Sequence, residues 1–552
     1  MKINKILTMA LAGALLVGCA DLDTEPNGST ITADQKAKTY ENNPERVAAS
    51  VNGITSMFSV YENTSGNHND FGYPSVMLFI ESRGIDFVGM DVGYNWFSYG
   101  LAMTDRAINS YINSSIWSTL YNQIYTANNV AGTIDPETDD SKLQYYLAQA
   151  LAIRAFDYFN LAQIYQFTYE GNTDALCVPI VLDTNSDDGA TNGVARSTVG
   201  EVYEQILADL NKAVELLSKT HETRADKRYV DLAVAYGLRA RVNLVMQKWT
   251  DAAADAQKAI ELTSATPKSF ENASAPSFKD MNEEDWMWGI YIAETDRVVT
   301  SGIVNWISHM GSLNYGYASV GAWRRINATL YNMISSSDCR KGWFLNSQGV
   351  SANLNKEQQA YITDEAGAPA YTQVKFAPYK DEIYTSTNAN DVPLMRVEEM
   401  YLILAEAQAM SGNAGTGKAT LESFVKTYRD PSYTTAAATA EAVQNAVWVQ
   451  RRIELWGEGF SYYDLMRLRK GVDRASTAWS SMDKNMPQYN FKIVDTKERE
   501  RESINATLNG EGEKTGSDIN ALVFQIPNAS IEANKLISKG DNNLGAPTLK
   551  PE

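Results

Sequence analysis

Cysteine and histidine are scarce, three of each in 552 residues. So few cysteines argue against a disulfide-built scaffold. His68, His221 and His309 stand at no paired ligand spacing, which argues against a histidine metal site. Basic charge is short as well: 48 Lys and Arg face 67 Asp and Glu, for a net charge of −19. Nucleic-acid phosphates would be repelled by such a chain. Beyond the first twenty residues no apolar run approaches membrane-spanning length. Common catalytic signatures are missing too, with no G-x-S-x-G elbow and no H-E-x-x-H. Gly415-Thr416-Gly417-Lys418-Ala419-Thr420 is no phosphate loop, because Gly412 is at the wrong spacing and no strand precedes it. The expectation is a protein without catalysis or cofactor. A carboxylate pair for glycoside hydrolysis, about 5–10 Å apart, is the one enzymatic arrangement left open.

What is present begins with an export signal. Lys2 and Lys5 precede the apolar run 6–17, which ends in Leu16-Val17-Gly18-Cys19. This resembles a bacterial lipobox, so residues 1–18 read as a signal peptide and Cys19 as the lipidated residue. Three acyl chains on one cysteine suffice for stable anchoring. The polar, acidic stretch after Cys19 reads as a tether to about residue 40, and it resembles the surface-export signal of Bacteroidetes lipoproteins. Cys177 and Cys339 then remain, either as a disulfide or as two buried thiols.

Residues 41–552 read as a single, mainly α-helical body. From 41 to 265 amphipathic helices dominate, including 142–166, a helix from an N-cap at Thr198 with Glu201 completing a capping box, 230–246 and 249–260. Ala240, Ala252 and Ala259 have the small-residue spacing of a tetratricopeptide pair. A partial second copy places Ala407 and Ala419 in helices 394–410 and 416–428, with Lys426 at its third position. Residues 266–390 lose charge and long periodicity and gain Asn, Ser, Gly and aromatics, apart from a helix expected around 323–334. Residues 391–552 return to helix, with one expected over 440–469. The segment Asp183-Thr184-Asn185-Ser186-Asp187-Asp188-Gly189 imitates the start of a calcium loop, but its glycine is one place late and Val194 stands where a glutamate is needed. A solvated acidic loop is expected there.

Four motifs are similar to those of the SusD/RagB family of outer-membrane nutrient-binding lipoproteins. They are Leu151–Phe159, the arginine-led Arg396–Ala407, Arg451–Phe460 running on through Tyr463-Asp464-Leu465-Met466-Arg467, and Phe524-Gln525-Ile526-Pro527 with Glu532 and Asn534. Ser461 departs from the pattern, which usually has arginine or histidine there. Arg451, Arg452, Glu454 and Asp464 fall on one expected helix, where i,i+3 and i,i+4 pairing is natural, so their role reads as structural. The resemblance implies tetratricopeptide-like helix pairs with an irregular second half carrying the ligand surface. It also implies a SusC-like TonB-dependent transporter as partner, at the outer face of the outer membrane. The ligand it implies is most often an oligosaccharide, with peptides as the alternative.

Sugar binding needs flat rings for C–H faces and polar groups for hydroxyls. Two aromatic, Gly- and Asn-rich loops supply both, around Tyr94-Asn95-Trp96-Phe97-Ser98-Tyr99 and across 301–323. The candidate ligand-binding residues are therefore Arg83, Asn95, Trp96 and Tyr99 from the first, with Trp306, Tyr315, Tyr317 and Trp323 from the second.

Overall fold

The computed structural model describes residues 38–40, 43, 45–60, 67–90, 92–482, 487–495, 507–508 and 514–550. The expected signal peptide, Cys19 and nearly all of the tether lie outside these residues. Among the described residues no helix is long and apolar enough to cross a membrane.

The first half is a succession of helices: α1 (Glu45–Ser56), α2 (Tyr73–Ser82), then strand β1 (Phe87–Gly89), α3 (Tyr111–Ala131), α4 (Ser141–Tyr165), α5 (Val199–Lys219), α6 (Leu232–Val245) and α7 (Trp249–Leu262). Short strands β2 (Trp286–Ile290), β3 (Arg324–Ile326) and β4 (Val392–Arg396) follow, then α8 (Val397–Met410), α9 (Ala414–Tyr428), α10 (Ala440–Glu454) and α11 (Ser461–Arg467). Successive helices pack on one another, α3 on α4, α4 on α5, α6 on α7 and α8 on α9, while α7 lies on α8 and joins the two stretches. A continuous cluster of buried apolar side chains runs from Tyr40 to Ile537.

Local chemistry explains where helices start. Thr198 Oγ1 accepts from Glu201 N at 3.2 Å while Glu201 Oε2 accepts from Thr198 N at 2.7 Å, so α5 carries the expected capping box. Asp140 caps α4 by accepting from Lys142 N and Leu143 N. Ala240, Ala252 and Ala259 are fully buried in the α6–α7 pair, as close helix approach requires.

The second pair differs in register. Ala419 is exposed, and the small residue at the contact is Gly417, where an added Cβ would lie 2.4 Å from Ala405 O and 2.7 Å from Ala409 Cβ. Gly417→Ala should therefore cost about 1–3 kcal/mol by overpacking, whereas Ala419→Leu should stay within about 0.5 kcal/mol. Chemical denaturation of both variants checks this, and equal losses would refute the register.

Three expected helices are shorter. Residues 392–396 form β4, because the segment pairs antiparallel with β2, Trp286 opposite Arg396. Of 323–334, only Ala328–Met333 is helical, capped by Asn327, and Arg324–Ile326 is strand. The helix expected over 440–469 breaks into α10 and α11. Gly457 and Gly459 adopt φ of 81° and 83° between them, a conformation that favours glycine. Their N–H groups both donate to the Glu81 carboxylate at 3.1 Å.

The acidic segment at 183–189 is also explained. Asp183 accepts from Arg154 Nη1 at 3.0 Å, and Arg154 forks onto Asp209 at 2.7 and 2.8 Å. From Ser186 to Asn192 the chain is a short helix with no buried residue, not the loop expected. Cys177 and Cys339 are both free and buried, and burial pushes their thiols up to about 12 and about 11. They are thiols, not a disulfide.

Candidate functional site: an aromatic ribbon across two loops

Strand pairing assembles the site. β1 and β3 are antiparallel, with Phe87 opposite Ile326 and Gly89 opposite Arg324, so the loop at 92–99 meets the loop at 311–323. Asn95 turns the first loop, donating to Met90 O at 2.9 Å and accepting from Arg324 Nη1 at 2.9 Å. The second loop is tied to 384–388: Tyr315 N donates to Thr385 O at 2.9 Å, Tyr384 N to Leu313 O at 2.7 Å, and Asn388 Nδ2 to Tyr315 O at 2.9 Å.

Between these loops the rings form a chain. His68 stacks on Trp96 with centroids 4.9 Å apart, and His68 Nδ1 shares a hydrogen bond with the Tyr317 hydroxyl. Tyr317 stacks in turn on His309 at 4.0 Å and 7°. His309 Nε2 donates to His68 O at 2.5 Å, which leaves Nδ1 bare, buried and without a partner among the described residues. Burial lowers both imidazoles below the usual histidine range, His309 well below it with Arg324 adding repulsion. Both rings are therefore neutral platforms near pH 7. Farther along, Tyr315 meets Tyr384 edge-on at 5.4 Å and Tyr384 approaches Tyr361 at 6.0 Å. Tyr315 and Tyr384 are 38% and 53% exposed, Trp96 and His68 are half-buried, and Tyr317, His309 and Tyr361 are buried, while Tyr99, 48% exposed, meets Tyr111 instead.

Five of the eight candidate ligand residues are therefore buried parts of the support. Arg83 pairs with Asp105 and the Ala521 carbonyl, between the rings of Tyr462 and Phe524 at 4.8 and 4.7 Å. It ties α2 to the C-terminal motif and faces no solvent. Asn95 shapes its turn. Trp306 packs edge-on against Phe376 at 4.8 Å, and Trp323 fills a small cluster with Leu313, Leu345 and Val374. Tyr317 is covered by the two histidines. Composition cannot tell a ring on a loop's outer face from one that plugs the space beneath it.

Sequence reasoning passed over His68, Tyr361 and Tyr384. His68 was weighed only as a metal ligand, and Tyr384 lies outside the two aromatic loops. Tyr384 has φ of 61°, and Lys380 and Asp381 nearby have 55° and 62°. Such left-handed conformations cost free energy for non-glycine residues and concentrate at functional sites. No local sequence signal marks them.

Two family models match this chain, one described as "starch-binding associating with outer membrane" over residues 86–244 and one described as "SusD family" over 305–544. The chain belongs to the SusD/RagB family. "SusD-like protein P2" of Formosa agariphila is 24% identical over 519 residues, covering 85% of this chain and 92% of that one. A solved SusD-like carbohydrate binding protein from Bacteroides vulgatus has a TM-score of 0.67 at 21% identity, covering 90% of this chain and 97% of its own. A SusD superfamily protein from Bacteroides thetaiotaomicron has a TM-score of 0.65 at 20% identity, covering 90% and 99%. These similarities show the shared fold.

In this SusD/RagB chain the motif residues work below the ribbon. Glu454 receives Arg429 Nε at 2.8 Å, Arg340 Nη1 at 3.1 Å and Arg396 Nη1 at 3.2 Å. Arg451 reaches Asp464 at 2.7 Å across the break between α10 and α11, and Arg452 reaches Asp86 at 2.6 Å. These are tertiary ties, not the same-helix pairs expected, because Gly457 and Gly459 turn α11 away. Ser461 lies against Gly84, whose added Cβ would fall 2.1 Å from Ser461 Oγ. That contact leaves no room for the family's longer side chain.

Proposed function

We propose that this protein is a cell-surface glycan-binding lipoprotein, held by lipid on Cys19, that captures an oligosaccharide and delivers it to a SusC-like TonB-dependent transporter without making or breaking bonds. The observation that carries this reading is the set of rings fixed on the two paired loops, half-buried Trp96 stacked on His68 and the open faces of Tyr315 and Tyr384. Rings locked by stacking and backbone ties lose little freedom on binding. They offer apolar faces to sugar C–H groups. The matching family described as starch-binding and the Bacteroides vulgatus structure described as carbohydrate binding support the same ligand class. Affinity built from several modest contacts rises with oligosaccharide length.

The test is affinity electrophoresis across polysaccharides. Tyr315→Ala with Tyr384→Ala should remove about 1 kcal/mol per ring, a tenfold to thirtyfold loss in affinity, with an unchanged melting curve because both rings are exposed. Undiminished retardation would remove these rings from the site. Reducing-end release by the purified protein would overturn binding without chemistry.

A further inference from the structure

The segment that carries Tyr384 turns twice in succession. Asp381 N donates to Pro378 O at 3.0 Å, and Glu382 N donates to Tyr379 O at 3.1 Å. Lys380 and Asp381 take φ of 55° and 62° at this corner, and Tyr384 takes 61°. Three left-handed residues thus fall within five, and none of them is glycine. A side chain makes that conformation costly, and it persists only where the surroundings over-determine it. Beyond the corner, Tyr384 N donates to Leu313 O at 2.7 Å and Tyr315 N to Thr385 O at 2.9 Å, so the path of the backbone decides where the Tyr384 ring stands.

Two ties hold the corner from its other side. Glu294 Oε1 accepts from the Tyr379 hydroxyl at 2.8 Å and from Lys380 Nζ at 2.7 Å. Lys380 Nζ also lies 4.9 Å from the centroid of the Tyr379 ring. Asp381 Oδ2 accepts from Lys279 Nζ at 2.8 Å. Glu294, Lys380 and Asp381 are all exposed, and exposed pairs are individually weak. A costly backbone is therefore balanced by modest ties. Weakening either the ties or the tolerance for positive φ should release the segment, and with it the ring.

We infer that Lys380 and Asp381, pinned to Glu294 and Lys279, are positioning residues that hold the Tyr384 ring in its outward pose, which rests on the glycan reading only for what the ring meets. The hold is tested without ligand, by hydrogen exchange of the full chain read by mass spectrometry. Lys380→Val and Glu294→Ala should each speed exchange over residues 382–385 by about threefold or more. Melting curves should stay unchanged, because the replaced side chains are exposed. Lys380→Asn loses the same ammonium, but asparagine tolerates positive φ where β-branched valine does not. It should therefore speed exchange less than Lys380→Val. Wild-type exchange in Lys380→Val and Glu294→Ala, or equal exchange in Lys380→Val and Lys380→Asn, would overturn the positioning role. Affinity electrophoresis through soluble starch and xylan then reads the consequence. A smaller fraction of binding-competent molecules lowers apparent affinity in proportion, so Lys380→Val should weaken retardation by about threefold. In a Tyr384→Ala background it should weaken retardation no further. Undiminished retardation in Lys380→Val while Tyr384→Ala is impaired, or further weakening in the Tyr384→Ala background, would overturn the action through this ring. Undiminished retardation in Tyr384→Ala itself would instead strike the glycan reading at this ring, while faster exchange would still uphold the corner's hold on it.

Discussion

Glu454→Leu is expected to lower stability by about 3–5 kcal/mol, the range for removing one partner of a buried ion pair. Denaturant unfolding measures it. Glu454 ends α10 with no exposure to water and is shared by Arg340, Arg396 and Arg429. Burial pushes its carboxyl up, but the arginines, Arg429 foremost, outweigh that and hold it well below the usual range. Around it, Lys268, Arg340, Lys375, Arg396 and Arg429 face Glu283, Asp285, Asp338, Glu454 and Glu458. A sixth carboxyl, Glu398, lies 2.8 Å from Arg429 and 3.2 Å from Arg396, while burial and Asp285 push it up. Leucine at 454 fills the volume but leaves Arg340, Arg396 and Arg429 without the carboxylate they share, in a place where solvent cannot compensate it. Glu454→Asp, which keeps the charge, should lose less. A loss below about 1 kcal/mol for leucine would mean that the network does not need this carboxylate.

Much of the frame was legible in the sequence because helices announce themselves through periodicity and caps. Thr198 with Glu201, and the alanines of the α6–α7 pair, are local signals with local causes. The misplacements share a cause of another kind. Residues 392–396 become strand through pairing with β2, and the break before α11 depends on Glu81, far away in the chain. The small residue that lets α9 approach α8 is Gly417, which only the tertiary contact distinguishes from Ala419. The candidate ligand surface was the least legible part. Sequence located both aromatic loops, and β1–β3 pairing does bring them together, yet it could not separate Tyr315, which faces out, from Tyr317, two residues later, which His309 covers. His68 became visible only as the ring between Trp96 and Tyr317.

Glu81 gives the second large effect, and its sign is unusual for a carboxylate. Burial pushes it up to about 7, with Asp86 adding repulsion, against the opposing pull of the Gly457 and Gly459 N–H donors. A carboxyl raised in the fold stabilises through its protonated form. That contribution is complete below the unfolded value of 4.5 and is lost as pH rises through about 7. Two and a half pH units correspond to about 3 kcal/mol. Glu398 adds to the same loss at higher pH. Asp464 acts in the opposite direction: burial raises it, but Arg451 and Arg467 hold it below 3.8, so its contribution is lost as pH falls through its folded value. His309 and His68, held below 6.5, also lose their contribution as pH falls. The Glu81 contribution is therefore read from the difference between wild type and variant, as a decline in wild-type stability toward pH 8. Glu81→Gln should flatten that decline, because the amide carries no charge at any pH, although its single oxygen accepts from only one of the two glycine N–H groups, which reach different carboxylate oxygens. Equal slopes for wild type and Glu81→Gln between pH 5 and 8 would rule Glu81 out as the cause.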